Sequence, residues 1–287
     1  MKILVLGANG MVGHVISRYF YEQGNEITTF TRTTCCIGRN IIGDAMDCEF
    51  FKSILLCDDF DVVINCIGLL VKDCENYPSK AIFLNSHLPH FAVDILKDKK
   101  AKFIQMSTDC VFSGKTGGYT EKSIPDGELF YDRVKALGEI NDSKNLTFRN
   151  SIIGSDMNIN GIGLFNWFMK QKGEISGFTK AIWTGVTTLT LAKAMEKAIE
   201  EDLSGLYNLV NNKNITKFEL LQLFNKHFKN NALKINQNEQ LNLDKSLICK
   251  RNDFSFDVPS YEKMIVEMKD WIYNHKDIYS HYFNSGE

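Results

Sequence analysis

Lys2-Ile3-Leu4-Val5-Leu6-Gly7-Ala8-Asn9-Gly10-Met11-Val12-Gly13 opens the chain, and how this stretch is read decides the fold. The apolar run up to Leu6 predicts a buried strand. From residue 11 to residue 23 the apolar side chains follow helical spacing, and Gly24 stops the helix. Glycines at 7, 10 and 13 join the two. Gly7 permits the tight turn, Gly10 lets backbone approach a pyrophosphate, and Gly13 lets the helix pack closely on the strand. The helix N-terminus then presents its partial positive charge to phosphate. The ligand expected of such a loop is a dinucleotide, held by Gly7, Asn9, Gly10, Met11, Val12 and Gly13.

Working outward, strands and helices alternate. Residues 26–31 read as a strand rich in β-branched side chains, and a short strand precedes Gly43. Residues 47–57 form a short helix. Residues 61–65 are nearly all apolar, as expected of a strand covered on both faces. A long helix is predicted over 79–97, with a break or kink at Pro89. A strand at 102–106, a helix at 128–141 and a strand at 146–149 complete the alternation, which predicts an α/β fold with a doubly wound parallel sheet. Beyond Arg149 the pattern loosens. Residues 154–177 are punctuated by glycine, with a helix around 165–171. A helix at 189–201 and a strand at 205–210 follow. Thr216 and Glu219 form a capping box for a helix running to about 228, and a last helix spans 261–273. The expected division is a dinucleotide-binding domain of 1–150 plus about 181–210. A smaller, discontinuous C-terminal lobe of about 151–180 plus 211–287 should cover the carboxyl ends of the strands.

The bulk numbers exclude several functions. A net charge of −2 gives no electrostatic reason to propose nucleic acid or an anionic membrane as partner. No apolar stretch approaches the roughly 20 residues of a membrane span. The apolar start at residues 1–6 is too short for a signal peptide, so a cytoplasmic protein is expected. Its eight cysteines form no Cys-x-x-Cys pair and read as free thiols. His87 and His90 lack companion ligands, and no metal site is predicted.

Chemistry enters with Tyr131 and Lys135, one helical turn apart and therefore on one face. Upstream, Ser107-Thr108-Asp109 follows the strand at 102–106. A carbonyl reduced by hydride needs a proton for its oxygen, and a free phenol, with a pKa of about 10, holds its proton too tightly at neutral pH. The expected roles are Tyr131 as general acid, Lys135 as the cation that lowers the phenol's pKa and anchors the cofactor ribose, and Thr108 as the hydroxyl that positions the carbonyl. The second strand ends in Thr31-Arg32-Thr33, with no acid for an adenosine ribose. Arg32 can instead pair with a 2′-phosphate, which favours NADPH over NADH.

The Gly-x-x-Gly-x-x-Gly spacing resembles the extended short-chain dehydrogenase/reductase family, whose fold is Rossmann-type. One branch is closest in Ser107-Thr108-Asp109-Cys110-Val111-Phe112-Ser113-Gly114, Tyr131-Asp132-Arg133-Val134-Lys135, Phe148-Arg149-Asn150-Ser151 and Trp183-Thr184-Gly185-Val186. It is the dTDP-4-dehydrorhamnose reductase-like branch of sugar-nucleotide reductases. The resemblance implies adenine contacts at Asp44 and Ala45, a cofactor wall at Cys66, Ile67 and Gly68, and a cofactor-side asparagine at Asn85. It implies a substrate surface of Thr108, Asp109, Cys110, Ser151, Ile152 and Trp183, and a possible homodimer. Family members commonly carry tyrosine at the position of Cys110 and often an aromatic at that of Ile152. These departures point to a bulkier sugar, such as a UDP-linked N-acetylated 4-keto-6-deoxy hexose, for surface polysaccharide precursors. A dehydratase would need a glutamate where Cys110 stands. An epimerase of the same family, or a non-catalytic nucleotide-binding regulatory subunit like that of methionine adenosyltransferase, is compatible with the same fold.

Overall fold

The computed structural model describes residues 1–283. Strands β1 (Lys2–Leu6), β2 (Glu26–Thr31), β3 (Arg39–Ile42), β4 (Val62–Asn65), β5 (Lys102–Ser107) and β6 (Leu146–Arg149) follow in chain order. The chain then leaves the sheet through β7 (Ser151–Ile153), β8 (Glu174–Phe178), β9 (Ala181–Trp183) and β10 (Gly185–Thr187), and returns as β11 (Gly205–Asn208). The central sheet is parallel throughout, in the order β11-β6-β5-β4-β1-β2-β3. Successive side chains of β1 serve opposite faces, as the two-residue period requires. Ile3 and Val5 pack with Ile16, Phe20 and Ile104 on one face, and Leu4 and Leu6 with Phe51, Val63 and Phe103 on the other. Chain order reverses between β1 and β4, and a ligand crevice opens outside the carboxyl ends of the strands at such a point.

Helices α1 (Gly13–Glu22), α2 (Cys48–Leu55), α3 (Val71–Asn76), α4 (Pro78–Ile82), α5 (Leu88–Ile95) and α6 (Phe130–Leu137) fill the crossovers. The interruption expected at Pro89 takes the form of a π-turn, Phe83–His87, between α4 and α5. Proline has no N–H to give its own helix, and the extra residue falls just ahead of it. α6 is shorter than the predicted 128–141. Asp132 accepts from the extended Leu129 amide at 3.2 Å to cap its start, and at Gly138 any Cβ would collide with the Asn85 carbonyl oxygen.

The C-terminal lobe adds α7 (Leu164–Met169). Helix α8 (Thr188–Glu200) packs on α1 and leads back to β11, and the lobe continues with β12 (Ile215–Thr216), α9 (Lys217–Phe228), β13 (Lys234–Asn238), β14 (Leu243–Asp244) and α10 (Tyr261–Asn274). β7 pairs with β10 and β8 with β13, while β9 lies between β12 and β14. Ala181–Trp183 thus pairs with two strands from beyond residue 210, across the expected boundary near 181. α9 starts at the predicted capping box, with Thr216 Oγ1 accepting from the Glu219 amide at 3.1 Å. All eight cysteines are free. His87 stacks on Phe91, and His90 Nε2 lies 2.8 Å from the Leu137 carbonyl, so both are packing residues.

Candidate active site

The loop after β1 is held on both sides of the switch point. The Gly7 amide donates to Phe30 O at 2.8 Å, and the Cys66 amide to Leu6 O at 2.9 Å. Gly7 has φ +79°, a conformation that only glycine adopts without strain. At Gly13 an added Cβ would overlap the Gly7 carbonyl oxygen, so α1 packs against the loop as the spacing predicts. At Gly10 the same atom meets nothing closer than 3.5 Å. Gly10 borders a cleft of about 540 Å³, together with Gly7, Asn9, Arg32, Asp44, Ala45, Cys66, Ile67 and Gly68. Among the described residues the amides of Met11 and Val12 make no hydrogen bond, leaving two donors at the start of α1 for an anion. Asn9 Nδ2 donates to Thr33 Oγ1 at 3.0 Å and Thr34 O at 3.1 Å, tying the loop that carries Arg32 to the glycine turn. This donor set and shape fit a dinucleotide.

Asn85 sits behind the wall rather than in it. It is buried, accepts from the Leu69 amide at 2.8 Å and donates to the Leu69 carbonyl at 3.0 Å, so it fixes the segment after Gly68. Beneath the cradle, His14 of α1 is buried with Nε2 2.7 Å from Tyr279 Oη, and Trp271 Nε1 donates to the same phenol at 3.1 Å.

At the carboxyl end of β5, Thr108 leaves the strand and starts the single turn Asp109–Val111. Its Oγ1 accepts from the Cys110 amide at 3.2 Å and donates to Asp109 Oδ1 at 3.1 Å. α6 brings Tyr131 against this turn. Burial raises the phenol's pKa, Cys110 and Asp109 raise it further, and the Thr108 hydroxyl opposes them by hydrogen bonding. Lys135 is buried too. Its ammonium donates to the Met106 carbonyl at 2.6 Å, and burial lowers its pKa to about 8 against the influence of Glu139. The expectation that Lys135 lowers the phenol's pKa therefore fails here, because desolvation dominates at Tyr131 and the ammonium is engaged by strand β5. The phenol stays protonated at neutral pH.

Behind these groups lies a buried ion pair. Arg149, at the end of β6, donates to Glu139 through Nε at 2.8 Å and NH2 at 2.6 Å, and Ser107 Oγ donates to the same carboxylate at 2.6 Å. On the substrate side Trp183 is buried, Ile152 is half-buried against the main core, and Ser151 lies on β7. Burial pushes the Cys110 thiol up to about 12, so it is neutral.

Several residues that shape the site carry no local signal in the sequence. Lys80 joins Arg32 on the cleft lining, although its surroundings mark it only as part of a helix. Lys245 reaches Asp132 Oδ2 at 3.9 Å from a lobe segment without helical or strand periodicity. Lys217 falls inside a capping box, a pattern that gives it no role of its own, yet its Nζ lies 5.2 Å from the centroid of the Trp183 ring.

Residues 1–243 match the family described as RmlD substrate binding domain. A probable low-salt glycan biosynthesis reductase, Agl14, of Haloferax volcanii is 34% identical over 145 residues, 48% of each chain, so the chain spans about half the length of that relative. A dTDP-4-dehydrorhamnose reductase of Burkholderia thailandensis is 26% identical over 222 residues, 72% of this chain and 70% of that protein. The solved dTDP-4-dehydrorhamnose reductase of Bacillus anthracis, in complex with NADP, shares the fold at 19% identity, with a TM-score of 0.79 over 94% of this chain and 99% of that one. With the glycine cleft at the switch point and Thr108, Tyr131 and Lys135 gathered around the end of β5, the chain belongs to the RmlD-like sugar-nucleotide reductases of the extended short-chain dehydrogenase/reductase family.

Proposed function

We propose that this protein is an NADPH-dependent reductase of a nucleotide-linked 4-keto-6-deoxy sugar, acting in the cytoplasm in the synthesis of surface polysaccharide precursors. One observation carries this reading: a buried Tyr131 packs against the turn that Thr108 starts, and Leu69, packed in the same cluster, also lines the cleft that fits a dinucleotide. A reduced nicotinamide dinucleotide bound in that cleft supplies the hydride. The amides of Met11 and Val12 would take its diphosphate, and Asp44 and Ala45 its adenine end. Arg32 and Lys80 both line the cleft, and a 2′-phosphate answers their charge. Thr108 orients the substrate carbonyl, and Tyr131 Oη gives its proton to the carbonyl oxygen as the alkoxide forms. Lys135, held at Met106 O, fixes a positive charge beneath the reacting centre.

The lobe of about 151–180 plus 211–287, with Ala181–Trp183 paired to its strands, would bind the sugar nucleotide, with Asp109, Cys110, Ser151, Ile152 and Trp183 at the ring. The small Cys110 and Ile152 side chains favour a bulkier sugar, such as the UDP-linked N-acetylated hexose. Among the described residues no helix is long and apolar enough to cross a membrane. Exposed Tyr77, Ile82, Leu129 and Leu137 lie on or beside the mutually packed α3, α4 and α6 and suit a homodimer contact.

The test is NADPH oxidation, followed by absorbance, with dTDP-4-dehydrorhamnose and a UDP-N-acetyl-4-keto-6-deoxy hexose, together with identification of the product. Tyr131→Phe should abolish turnover and leave NADPH affinity within about twofold, since the phenol serves proton transfer. Turnover that survives Tyr131→Phe refutes the mechanism. A strong preference for dTDP-4-dehydrorhamnose refutes the bulkier sugar.

A further inference from the structure

Lys217 is the first residue of α9, directly after its capping threonine. A cation there faces the positive end of the helix dipole. Its Nζ lies 5.2 Å over the Trp183 ring and the residue is half-buried, and the loss of water around the ammonium lowers its affinity for its proton. Among the described residues no oxygen accepts a hydrogen bond from it and no carboxylate stands within ion-pair contact. An ammonium so placed has given up hydration without gaining a direct hydrogen-bond or ion-pair partner; the Trp183 ring and the longer-range field of Asp109 are what the chain offers it.

Asp109, in the turn after β5, is buried, and Thr108 Oγ1 donates to one of its oxygens. Burial raises the Asp109 carboxyl and lowers the Lys217 ammonium, and each group is the largest influence opposing the other's shift. The two charges therefore sense each other over a gap they do not close. One comes from the C-terminal lobe. The other comes from the turn that also carries Thr108, beside the reacting carbonyl.

We propose that Lys217 is a substrate-recognition residue whose ammonium donates to a neutral oxygen on the sugar ring, a hydroxyl or an acyl carbonyl, while Asp109 accepts from a sugar hydroxyl. This rests on the sugar-nucleotide reductase reading. The sugar is favoured over the diphosphate because the Asp109 carboxylate would repel an anion, and the adjoining Thr108 sets the ring's position. A neutral oxygen suffices, because Asp109 already balances the ammonium's charge. The indole confines the ammonium, so its donors are aimed rather than free to follow any ligand.

The experiment compares wild type with Lys217→Met and Lys217→Arg. It measures kcat and KM for whichever of the two 4-keto sugar nucleotides the wild type turns over best, the inhibition constant of the matching bare nucleoside diphosphate, and the melting temperature. Loss of a charge-assisted hydrogen bond should raise KM for the sugar nucleotide on the order of 10- to 100-fold in Lys217→Met. The fall in kcat should be smaller, and Lys217→Arg should recover part of the affinity. The bare nucleoside diphosphate should bind within about twofold of wild type, since it carries no sugar. The melting temperature should hold within about 2 °C, because no direct hydrogen bond or ion pair of Lys217 is lost. An unchanged KM overturns the proposal. So does an equal loss for the bare diphosphate, which would assign Lys217 to the phosphates, or a fall in melting temperature with parallel loss of kcat, which would make it structural. A wild type that turns over neither sugar refutes the reductase reading itself, before any variant is measured, and the proposal falls with it.

Discussion

Arg149→Met tests whether the site stands on its buried ion pair. Arg149 is about 1% exposed and Glu139 about 9%, and two hydrogen bonds of 2.8 and 2.6 Å join them. The guanidinium also lies 4.9 Å from the Phe112 ring centroid. Methionine keeps much of the packing and deletes the charge, stranding a buried carboxylate whose other partner is Ser107. Removing one member of such a pair costs about 3–5 kcal/mol. At about 2.1 cal/mol/K per residue, unfolding 287 residues carries an entropy of about 600 cal/mol/K, so each kcal/mol lowers Tm by about 1.7 °C. The expected fall is therefore about 5–8 °C in a thermal melt followed by circular dichroism. Arg149→Met/Glu139→Gln removes both charges and should melt above the sum of the single losses, since contacting groups couple by about 0.5–3 kcal/mol. Single variants within about 2 °C of wild type, or losses that simply add, refute the view that this pair is a coupled support.

Two other outcomes follow from the site. Gly13→Ala forces a methyl into the Gly7 carbonyl and should cost about 1–3 kcal/mol of stability, whereas Gly10→Ala meets open space and should melt like wild type yet bind NADPH at least about tenfold more weakly; calorimetry and titration separate the two. Burial holds the Lys135 pKa at about 8 in the folded protein, below its ordinary value, so the cation is lost as pH rises through about 8. Reduction measured as kcat/KM for NADPH should therefore fall on that limb, while the stability contribution of Lys135 rises between there and the ordinary lysine range. Glu139→Gln removes the largest influence raising Lys135 and should move the limb to lower pH, and a limb indifferent to both Lys135→Met and Glu139→Gln would assign it to another group.

The middle of the central sheet was legible because its strands are buried on both faces: β4 is Val-Val-Ile-Asn and β5 is buried from end to end, whereas the edge strand β3 is only half-buried. Thr108, Tyr131 and Lys135 were legible because their spacing is local, one helical turn on α6 and one strand end on β5. The lobe strands were not, because β7, β9 and β10 have three residues each and β12 and β14 two, too few to establish a period of two. The electrostatics at Tyr131 were misjudged for a related reason. One turn of spacing says that two side chains share a face, but the depth of burial and the claim of Met106 O on Lys135 come from strands that meet only in the fold. Lys217 and Lys245 reach the site from over a hundred residues downstream of Thr108, so no local pattern announces them.

The hydrogen bond between His14 and Tyr279 spans 265 positions of sequence. The nucleotide cradle therefore leaves the ribosome well before the phenol that seats its helix. At about 5–20 residues per second, roughly 15–50 s separate the two. During that interval the buried imidazole lacks its mate, and α1 rests on a surface that Trp271 and Tyr279 have yet to close. Maturation of the phosphate-binding end is thus tied to synthesis of the segment that carries Trp271 and Tyr279, and a nascent chain stalled before α10 would carry the glycine loop without the brace beneath it.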